Sequence, residues 1–290
     1  MSLLQIIGNT IVYNTALLWP DELYIKLRFY FMCGYLPNLR TPQNYNEKLQ
    51  WLKVNDYHED YSVLVDKYEV KSHVESIIGS EHIIPTIGVW DSFQNIDFDN
   101  MPNQFVLKTT HDSGGVVIVK DKQSFDCQKA AKLLTKSLRN NFYKYNREYP
   151  YKSVKPRIIA EEYLVDESGQ ELKDYKFFCF NGVPKVIQVD YDRFNGHKRN
   201  MYDTEWKRLP FTLGFPTDWK RDFSKPKNLD LMLDIASRLS KNIPHVRVDL
   251  YNVDGHVYFG ELTFFHGGGY EKFTPKEWDH TFGDWIVLPQ

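Results

Sequence analysis

Hydrophobic and polar residues alternate along the chain in short runs that predict a mixture of strands and helices. The predicted strands are rich in Val, Ile and Phe and are separated by turns that contain Gly, Asn or Asp. Asn181-Gly182 separates strands at 176–180 and 184–189, which predicts a hairpin. Asn252-Val253-Asp254-Gly255 separates strands at 245–251 and 256–262, which predicts a second one. Helical periodicity between the strands indicates an α+β fold.

The predicted elements divide the chain into three parts. Residues 1–65 form a helical N-terminal segment, in which Asn46 is the predicted cap of one helix. Residues 66–165 form a first α+β lobe. Its predicted elements are helices at 66–79 and 125–142 and strands at 83–90, 104–108, 116–119 and 157–160. Residues 166–290 form a second lobe, which contains both hairpins and an amphipathic helix at 229–241.

Composition narrows the class of protein. The chain has 290 residues, of which 42% are apolar, so an unfolded chain is excluded. The net charge of −2 and the lack of a basic run argue against a nucleic-acid partner. Three widely spaced cysteines fit neither a zinc knuckle nor a disulfide framework, which favours a cytoplasmic location. No basic leader and no run of about 18 apolar residues is present, so we expect neither a signal peptide nor a membrane span.

Lys26 and Arg28 lie among apolar residues of the N-terminal segment. This pattern fits a packed helix whose basic side chains reach the surface, and it also fits a helix on the inner face of a membrane. We favour the packed helix, and peripheral membrane contact stays open.

A lysine and a glycine-containing turn form the first candidate site. Lys108 ends a predicted strand, and His111-Asp112-Ser113-Gly114-Gly115 follows it. The ammonium group and the backbone N–H groups of such a turn can bind phosphate. An ordinary hairpin turn with a surface lysine is the alternative. We predict His111, Ser113, Gly114 and Gly115 as nucleotide contacts together with Lys108.

The strand Ile158-Ile159-Ala160 ends in Glu161-Glu162-Tyr163-Leu164. This sequence suits a hinge between two lobes, where backbone groups bind an adenine edge and apolar side chains enclose the ring. A strand end with solvated carboxylates is the alternative.

Two acidic residues interrupt apolar strands on the two arms of the second hairpin. Asp249 lies in one arm and Glu261 in the other. A carboxylate inside a strand is costly to bury unless it is paired or binds a metal. We favour a magnesium site, with ion pairing to Arg247 as the alternative.

Asp174-Tyr175-Lys176 and Asp190-Tyr191-Asp192-Arg193 form the last cluster. Lys176 and Arg193 can neutralise phosphate or a developing acyl phosphate, and Lys198 and Arg199 can pair with a substrate carboxylate. Asp190-Tyr191-Asp192 also fits the acid-x-acid pattern of metal-dependent glycosyltransferases, which is the rival function.

His266 precedes three glycines, Gly267 to Gly269, which we interpret as a loop that can close over substrate. Contact between His266 and a ligand and a purely structural role stay open. The chain has neither a Gly-x-Ser-x-Gly nor a His-Glu-x-x-His element, which argues against a serine hydrolase or a zincin.

The order of these pieces resembles the TupA-like ATP-grasp family, whose members are often labelled as glycosyltransferases of polysaccharide gene clusters. Six stretches of the chain carry the resemblance: 46–53, 65–70, 103–108, 156–164, 174–182 and 247–264. The resemblance implies two α+β lobes that sandwich ATP, with a helical N-terminal segment. One departure is that the usual Glu-x-Asn metal element reads Glu261-Leu262-Thr263. Thr263 offers a hydroxyl oxygen, which is a poorer metal ligand than an amide carbonyl.

The resemblance also implies roles for individual residues. Lys108 contacts the phosphates, Glu161 to Leu164 form the adenine hinge, and Asp174 lies at the nucleotide. Asp249, Glu261 and Thr263 bind Mg²⁺. The predicted catalytic residues are Lys176, Arg193 and Arg247.

The implied reaction is an ATP-dependent ligation of a carboxylate to an amine through an acyl phosphate. As substrates we expect a small or lipid-linked saccharide carboxylate and an amine or amino acid, in surface polysaccharide or capsule biosynthesis.

Overall fold

A computed structural model of the chain describes residues 2–165, 172–192 and 196–290. The N-terminal part contains four helices: α1 (Leu3–Asn14), α2 (Asp21–Cys33), α3 (Tyr45–Asn55) and α4 (Tyr61–Val65). Asn44 caps α3, because its side chain accepts the N–H of Glu47 at 2.9 Å. The prediction of Asn46 as this cap was wrong by two residues. The Asn46 amide instead donates to the carbonyl of Glu271 at 3.0 Å.

The basic residues of α2 take part in contacts within the protein. Arg28 is buried and donates to the backbone carbonyl of Tyr145, and Lys26 pairs with Glu22 one turn away. These contacts support the packed-helix interpretation of this segment. Among the described residues, no helix has the length and apolar character needed to cross a membrane.

The first sheet has four antiparallel strands in the order β1-β4-β2-β3. They are β1 (Thr86–Trp90), β2 (Phe105–Thr109), β3 (Val116–Val119) and β4 (Ile158–Glu162). Three helices belong to the same stretch of chain: α5 (Val70–Ile78), α6 (Cys127–Leu138) and α7 (Phe142–Asn146). The helix predicted at 125–142 is therefore two helices. Asn141 caps the second one, because its side chain accepts the N–H of Lys144.

Side chains of the first sheet alternate between two faces, as the period of a strand requires. Phe105 and Leu107 of β2 point into an apolar core that also contains Leu134 of α6. Val106 and Lys108 point to the opposite face, where they line a cavity. The sequence of β2 thus places Lys108 on the cavity side of the sheet.

The second sheet has five antiparallel strands in the order β10-β9-β5-β6-β7. They are β5 (Asp174–Phe180), β6 (Val183–Tyr191), β7 (Lys198–Tyr202), β9 (His245–Val253) and β10 (His256–Thr263). A short pair, β8 (Thr212–Leu213) and β11 (Phe273–Thr274), adjoins it. The remaining helices are α8 (Leu229–Leu239) and α9 (Glu277–Trp285). Both predicted hairpins are present, at β5–β6 and β9–β10.

The larger apolar core covers both faces of the second sheet. On one face Phe177 packs with Ile235 of α8, and on the other Phe178 packs with Phe282 of α9. Val74 of α5 belongs to the same core, although the sequence-based division places it in the first lobe. The polar end of this second face, at the start of β5, faces the cavity.

Candidate functional site

A cavity of about 890 Å³ lies between the two sheets. This volume falls within the usual range of small-molecule sites. Strands β2, β3 and β4 and the start of α6 form one wall, and β5, β9 and β10 form the other. Most of the predicted site residues line it: Lys108, Ser113, Glu161, Glu162, Tyr163, Leu164, Asp174, Lys176, Asp249 and Glu261.

Lys108 and Glu161 form a buried ion pair on the first wall. Lys108 Nζ lies 2.6 Å from one carboxylate oxygen of Glu161, and Lys71 Nζ lies 2.5 Å from the other. Burial alone would lower the pKa of Lys108, but Glu161, with smaller contributions from Tyr251 and Glu261, raises it above its usual value. The ammonium group therefore stays charged and is available to phosphate.

Glu161 differs in part from its predicted role in an adenine hinge. It lies inside β4, with β1 on one side and β2 on the other, so its backbone belongs to the sheet. Its carboxylate is held by Lys71 and Lys108. Tyr163 and Leu164 follow the strand and line the cavity, so they remain the candidates for binding an adenine edge.

The second wall is a polar row that crosses neighbouring strands. Lys176 of β5 pairs in register with Asp249 of β9, and Asp249 pairs in turn with Glu261 of β10. Lys176 Nζ lies 2.6 Å from Asp249 and 2.5 Å from Asp174. Because the side chains lie in one ladder, the hydrogen bonds of the sheet fix their spacing.

Arg247 holds Asp249 from the other side. Its Nε and Nη2 donate to the two carboxylate oxygens of Asp249, each at 2.6 Å. Nη2 also lies 3.3 Å from Glu261, and Nη1 lies 2.5 Å from the Nδ1 atom of His266. The ion pairing that we held as the alternative for Asp249 is therefore present.

Glu261 is the more accessible of the two acids, since 37% of its side chain is exposed. Burial would raise the pKa of Glu261, but Lys67 and Arg247 lower it, so the carboxylate is ionised. Lys67 Nζ lies 3.8 Å from it, and the Thr263 hydroxyl lies 3.5 Å away. The three predicted metal residues thus share one patch at the end of the β9–β10 hairpin.

The donors of this patch fit Mg²⁺, which prefers carboxylate and other oxygen ligands and is usually held by one or two carboxylates plus substrate phosphates. No group of three or more His, Cys, Asp or Glu side chains suited to a metal is found within the described ranges. A magnesium ion would therefore take only some of its ligands from Asp249, Glu261 and Thr263, and the others from phosphate and water. Gly260 helps to shape it, because a Cβ there would come within 3.0 Å of the Asp249 carbonyl oxygen.

The glycine turn after β2 differs from the prediction. His111 is buried outside the cavity, and its Nε2 lies 3.2 Å from the carbonyl of Asn140. The N–H groups of Gly114 and Gly115 both point at the Asp112 carboxylate, each at 3.4 Å. Ser113 alone of the predicted turn residues lines the cavity. Asp112 occupies the turn in this arrangement, and nucleotide contact by His111, Gly114 and Gly115 stays a prediction.

The acid-x-acid pattern is not an open metal site. Asp190 is buried and pairs with Arg199 at 2.8 Å and with His197 at 3.0 Å, and Asp192 pairs with Arg221 at 2.8 Å. Arg199, predicted as a partner for substrate, is thus engaged within the protein. Arg193 lies outside the described residues, and its predicted catalytic role stays a prediction.

Two cavity residues, and one lysine that pairs with a cavity residue, were missed by sequence reasoning. Lys67 donates to the carbonyl of Asp112 at 2.5 Å and also approaches Glu261, so it joins the glycine turn to the second wall. Lys71 secures Glu161, and Tyr251 of β9 lines the cavity beside Asp174. The two lysines lie in Asp66-Lys67-Tyr68-Glu69-Val70-Lys71, a stretch that predicts the start of a helix and carries part of the resemblance but was given no site residue.

Two α+β lobes whose antiparallel sheets enclose a cavity with lysines on one wall and paired carboxylates on the other define an ATP-grasp protein. Residues 47–287 match the TupA-like ATPgrasp family, and the chain belongs to that family. The match confirms the predicted family and fold class. No curated protein sequence matches the chain.

Several solved structures resemble the chain at low identity. D-alanine-D-alanine ligase from Helicobacter pylori is 14% identical, with a TM-score of 0.44, over 84% of this chain and 70% of that one. The ADP complex of purK, N5-carboxyaminoimidazole ribonucleotide synthetase, is 14% identical, with a TM-score of 0.45, over 75% of this chain and 50% of that one. The ATP complex of D-alanine–D-alanine ligase from Bacillus anthracis is 17% identical, with a TM-score of 0.38, over 70% of this chain and 55% of that one. The chain thus spans between half and 70% of these proteins.

Proposed function

We propose that the protein is an ATP- and magnesium-dependent ligase that joins a carboxylate to an amine through an acyl phosphate. The observation that supports this most directly is the shared cavity. It brings Lys108 of the first sheet opposite Lys176, Asp249 and Glu261 of the second. In a TupA-like ATP-grasp chain, this arrangement suits a triphosphate with its metal between the two walls.

In this proposal, the chain acts mainly by positioning and by electrostatic stabilisation. Lys108 contacts the phosphates from the first wall, and Lys176 and Arg247 offset the charge that develops on the transferred phosphoryl group. Asp249, Glu261 and Thr263 would hold Mg²⁺, which when bound would offset the negative charge of the phosphates. Tyr163 and Leu164 lie where the adenine edge binds.

The reaction has two steps. An oxygen of the substrate carboxylate attacks the γ-phosphorus of ATP, the bond to the β,γ-bridging oxygen breaks, and ADP leaves. The nitrogen of the amine then attacks the acyl carbon, inorganic phosphate leaves, and the amine loses a proton. The products are an amide, ADP and phosphate.

The proposed carboxylate belongs to a saccharide of the cell surface or to its lipid- or nucleotide-linked precursor, and the proposed site of action is the cytoplasm. The support is the family alone. Arg193 and Lys198 are the remaining candidates for pairing with this carboxylate, because Arg199 is buried against Asp190.

The test is ADP release from ATP and Mg²⁺ in the presence of uronic-acid compounds and a panel of amines. Mass spectrometry should show a product that equals the two reactants minus one water, with one ADP for each amide. Sugar transfer from a nucleotide sugar without consumption of ATP would refute the proposal.

A further inference from the structure

Arg247 has a contact that the proposed reaction does not use. Its Nη1 lies 2.5 Å from the Nδ1 atom of His266. A guanidinium group can only donate hydrogen bonds, so Nδ1 must be the acceptor and the ring proton must lie on Nε2. Burial lowers the pKa of His266 to about 4, although Glu271 opposes that change. His266 is therefore neutral, in one defined tautomer.

Glu271 fixes that tautomer from the far side of the ring. Its Oε2 atom accepts from His266 Nε2 at 2.9 Å and from Arg199 Nη1 at 2.6 Å. Burial would raise the pKa of Glu271, but His266 and Arg199 hold it at about 2. Arg199 is itself held by Asp190 at 2.8 Å. A continuous set of charge-assisted contacts thus runs from Asp190 to Asp249.

Two glycines leave room for the Glu271 side chain. Gly214 has a φ of +68°, and a Cβ there would lie 2.5 Å from a carboxylate oxygen of Glu271. Gly267 has a φ of +57°, and a Cβ there would lie 2.3 Å from Glu271 Cγ. Both positions therefore favour glycine, for their backbone and for space. This packing explains part of the glycine run that we interpreted from sequence as a loop over the substrate.

We infer that His266 and Glu271 are positioning residues that hold the Arg247 guanidinium against Asp249 and Glu261. Neither side chain lines the cavity, and Arg247 also lies behind the lining, so each acts through the contacts of Arg247 with Asp249 and Glu261, which do line it. The bidentate contact with Asp249 fixes one edge of the guanidinium, and the His266 contact fixes the remaining nitrogen. The inference rests on the proposed function for one point only, the contact between Arg247 and the terminal phosphate.

The test compares His266→Asn with His266→Gln. The side-chain oxygen of Asn can take the place of Nδ1 and accept from Arg247, whereas the Gln amide reaches only the place of Nε2. Calorimetry would measure the binding of a non-hydrolysable ATP analogue and of ADP, each with Mg²⁺. In H266Q, we expect the affinity for the analogue to fall about tenfold relative to that for ADP, the size of effect seen for partners of a ligand-holding residue. In H266N, the affinity for the analogue relative to that for ADP should equal that of the wild type.

Glu271→Gln serves as a second variant with the same expected loss, which keeps the inference testable if H266Q does not fold. The inference would be overturned if the ratio of the affinity for the analogue to the affinity for ADP were the same in the wild type, H266Q and E271Q. Failure of the wild type to bind either nucleotide would refute the proposed function instead.

If the wild type binds neither nucleotide, ¹⁵N NMR of the histidines still tests the contacts of His266 with Arg247 and Glu271. The expected result is a His266 ring that carries its proton on Nε2 and stays neutral between pH 5 and 8, and titration in that range would overturn the inference.

Discussion

The Lys108 ammonium nitrogen lies 2.6 Å from a carboxylate oxygen of Glu161, and this ion pair bridges β2 and β4 on the cavity face of the first sheet. Lys71 contacts the other carboxylate oxygen, so Glu161 keeps one cationic partner when Lys108 turns toward a ligand. The Lys108 position can therefore be changed without leaving a buried carboxylate unpaired.

Lys108→Met should abolish ATP turnover while the fold is retained. Loss of one charge-stabilising contact in such a site costs on the order of 3 kcal/mol in the barrier, a hundredfold or more in rate. ADP release and thermal unfolding would be measured together. Lys207→Met is the matched control, because that lysine is exposed and pairs only with Glu205. Turnover of K108M close to that of the wild type would remove Lys108 from the site.

Glu261→Gln should raise the Mg²⁺ concentration that is needed for half-maximal ADP release. The substitution keeps the size of the side chain but removes the more accessible of the two carboxylates in the predicted metal patch. We expect turnover at a fixed, low Mg²⁺ concentration to fall about a hundredfold, with partial recovery as Mg²⁺ is added. An unchanged Mg²⁺ dependence would mean that Glu261 is not a metal ligand.

Asp249→Asn should destabilise the folded protein much more than Glu261→Gln does. Asp249 is buried between Arg247 and Lys176, and its loss leaves both cations without their shared carboxylate. Breaking a buried ion pair in this way costs about 3 to 5 kcal/mol. Urea unfolding of both variants measures the difference, and equal free energies of unfolding would contradict the arrangement.

Asp192→Asn separates the ligase from the rival glycosyltransferase. Asp192 pairs with Arg221 at the surface, where an ion pair contributes about 0 to 1 kcal/mol, so the fold should be unaffected. ATP turnover should equal that of the wild type, since Asp192 does not line the cavity. A metal-dependent glycosyltransferase that uses Asp190 and Asp192 would instead lose its sugar transfer completely.

Glu271 should make stability depend on pH in the acid range. Its pKa is about 2 in the folded protein, below the ordinary value of 4.5. Its contribution is therefore fully present above about pH 4.5, where the unfolded chain is also ionised, and is lost as the pH falls through 4.5 toward 2. A shift of this size corresponds to on the order of 3 kcal/mol. Between pH 5 and 3.5, the free energy of unfolding should fall less steeply in Glu271→Gln than in the wild type.

The sequence predicted the second wall of the site well. Asp249 and Glu261 lie on arms joined by a recognisable turn, so the pairing of the arms brings the two acids together. The alternation of side chains along β2 similarly determines which face of the first sheet carries Lys108. In both cases, the information is local and follows from the period of a strand.

The contacts that the sequence did not predict depend on distant parts of the chain. Lys71 reaches Glu161, which is 90 positions away, where its ammonium group also contacts Ile84 and Thr86 at the start of β1, the strand beside β4. The contact of the Gly115 N–H with Asp112 was also not predicted, because a glycine turn favours the close approach of any acceptor and the sequence does not show which one is bound. The contact of His266 with Arg247 depends on how the chain returns after β10, which no local pattern encodes.

The two walls differ in how their distances are set. Lys176, Asp249 and Glu261 lie on neighbouring strands of one sheet, and ladder hydrogen bonds join those strands. Lys108 belongs to the other sheet. A change in the separation of the two sheets would alter the distance from Lys108 to Asp249 and leave the distance from Lys176 to Asp249 as it is. The half of the site assigned to the metal and the reacting phosphate is thus geometrically independent of the half assigned to the rest of the nucleotide.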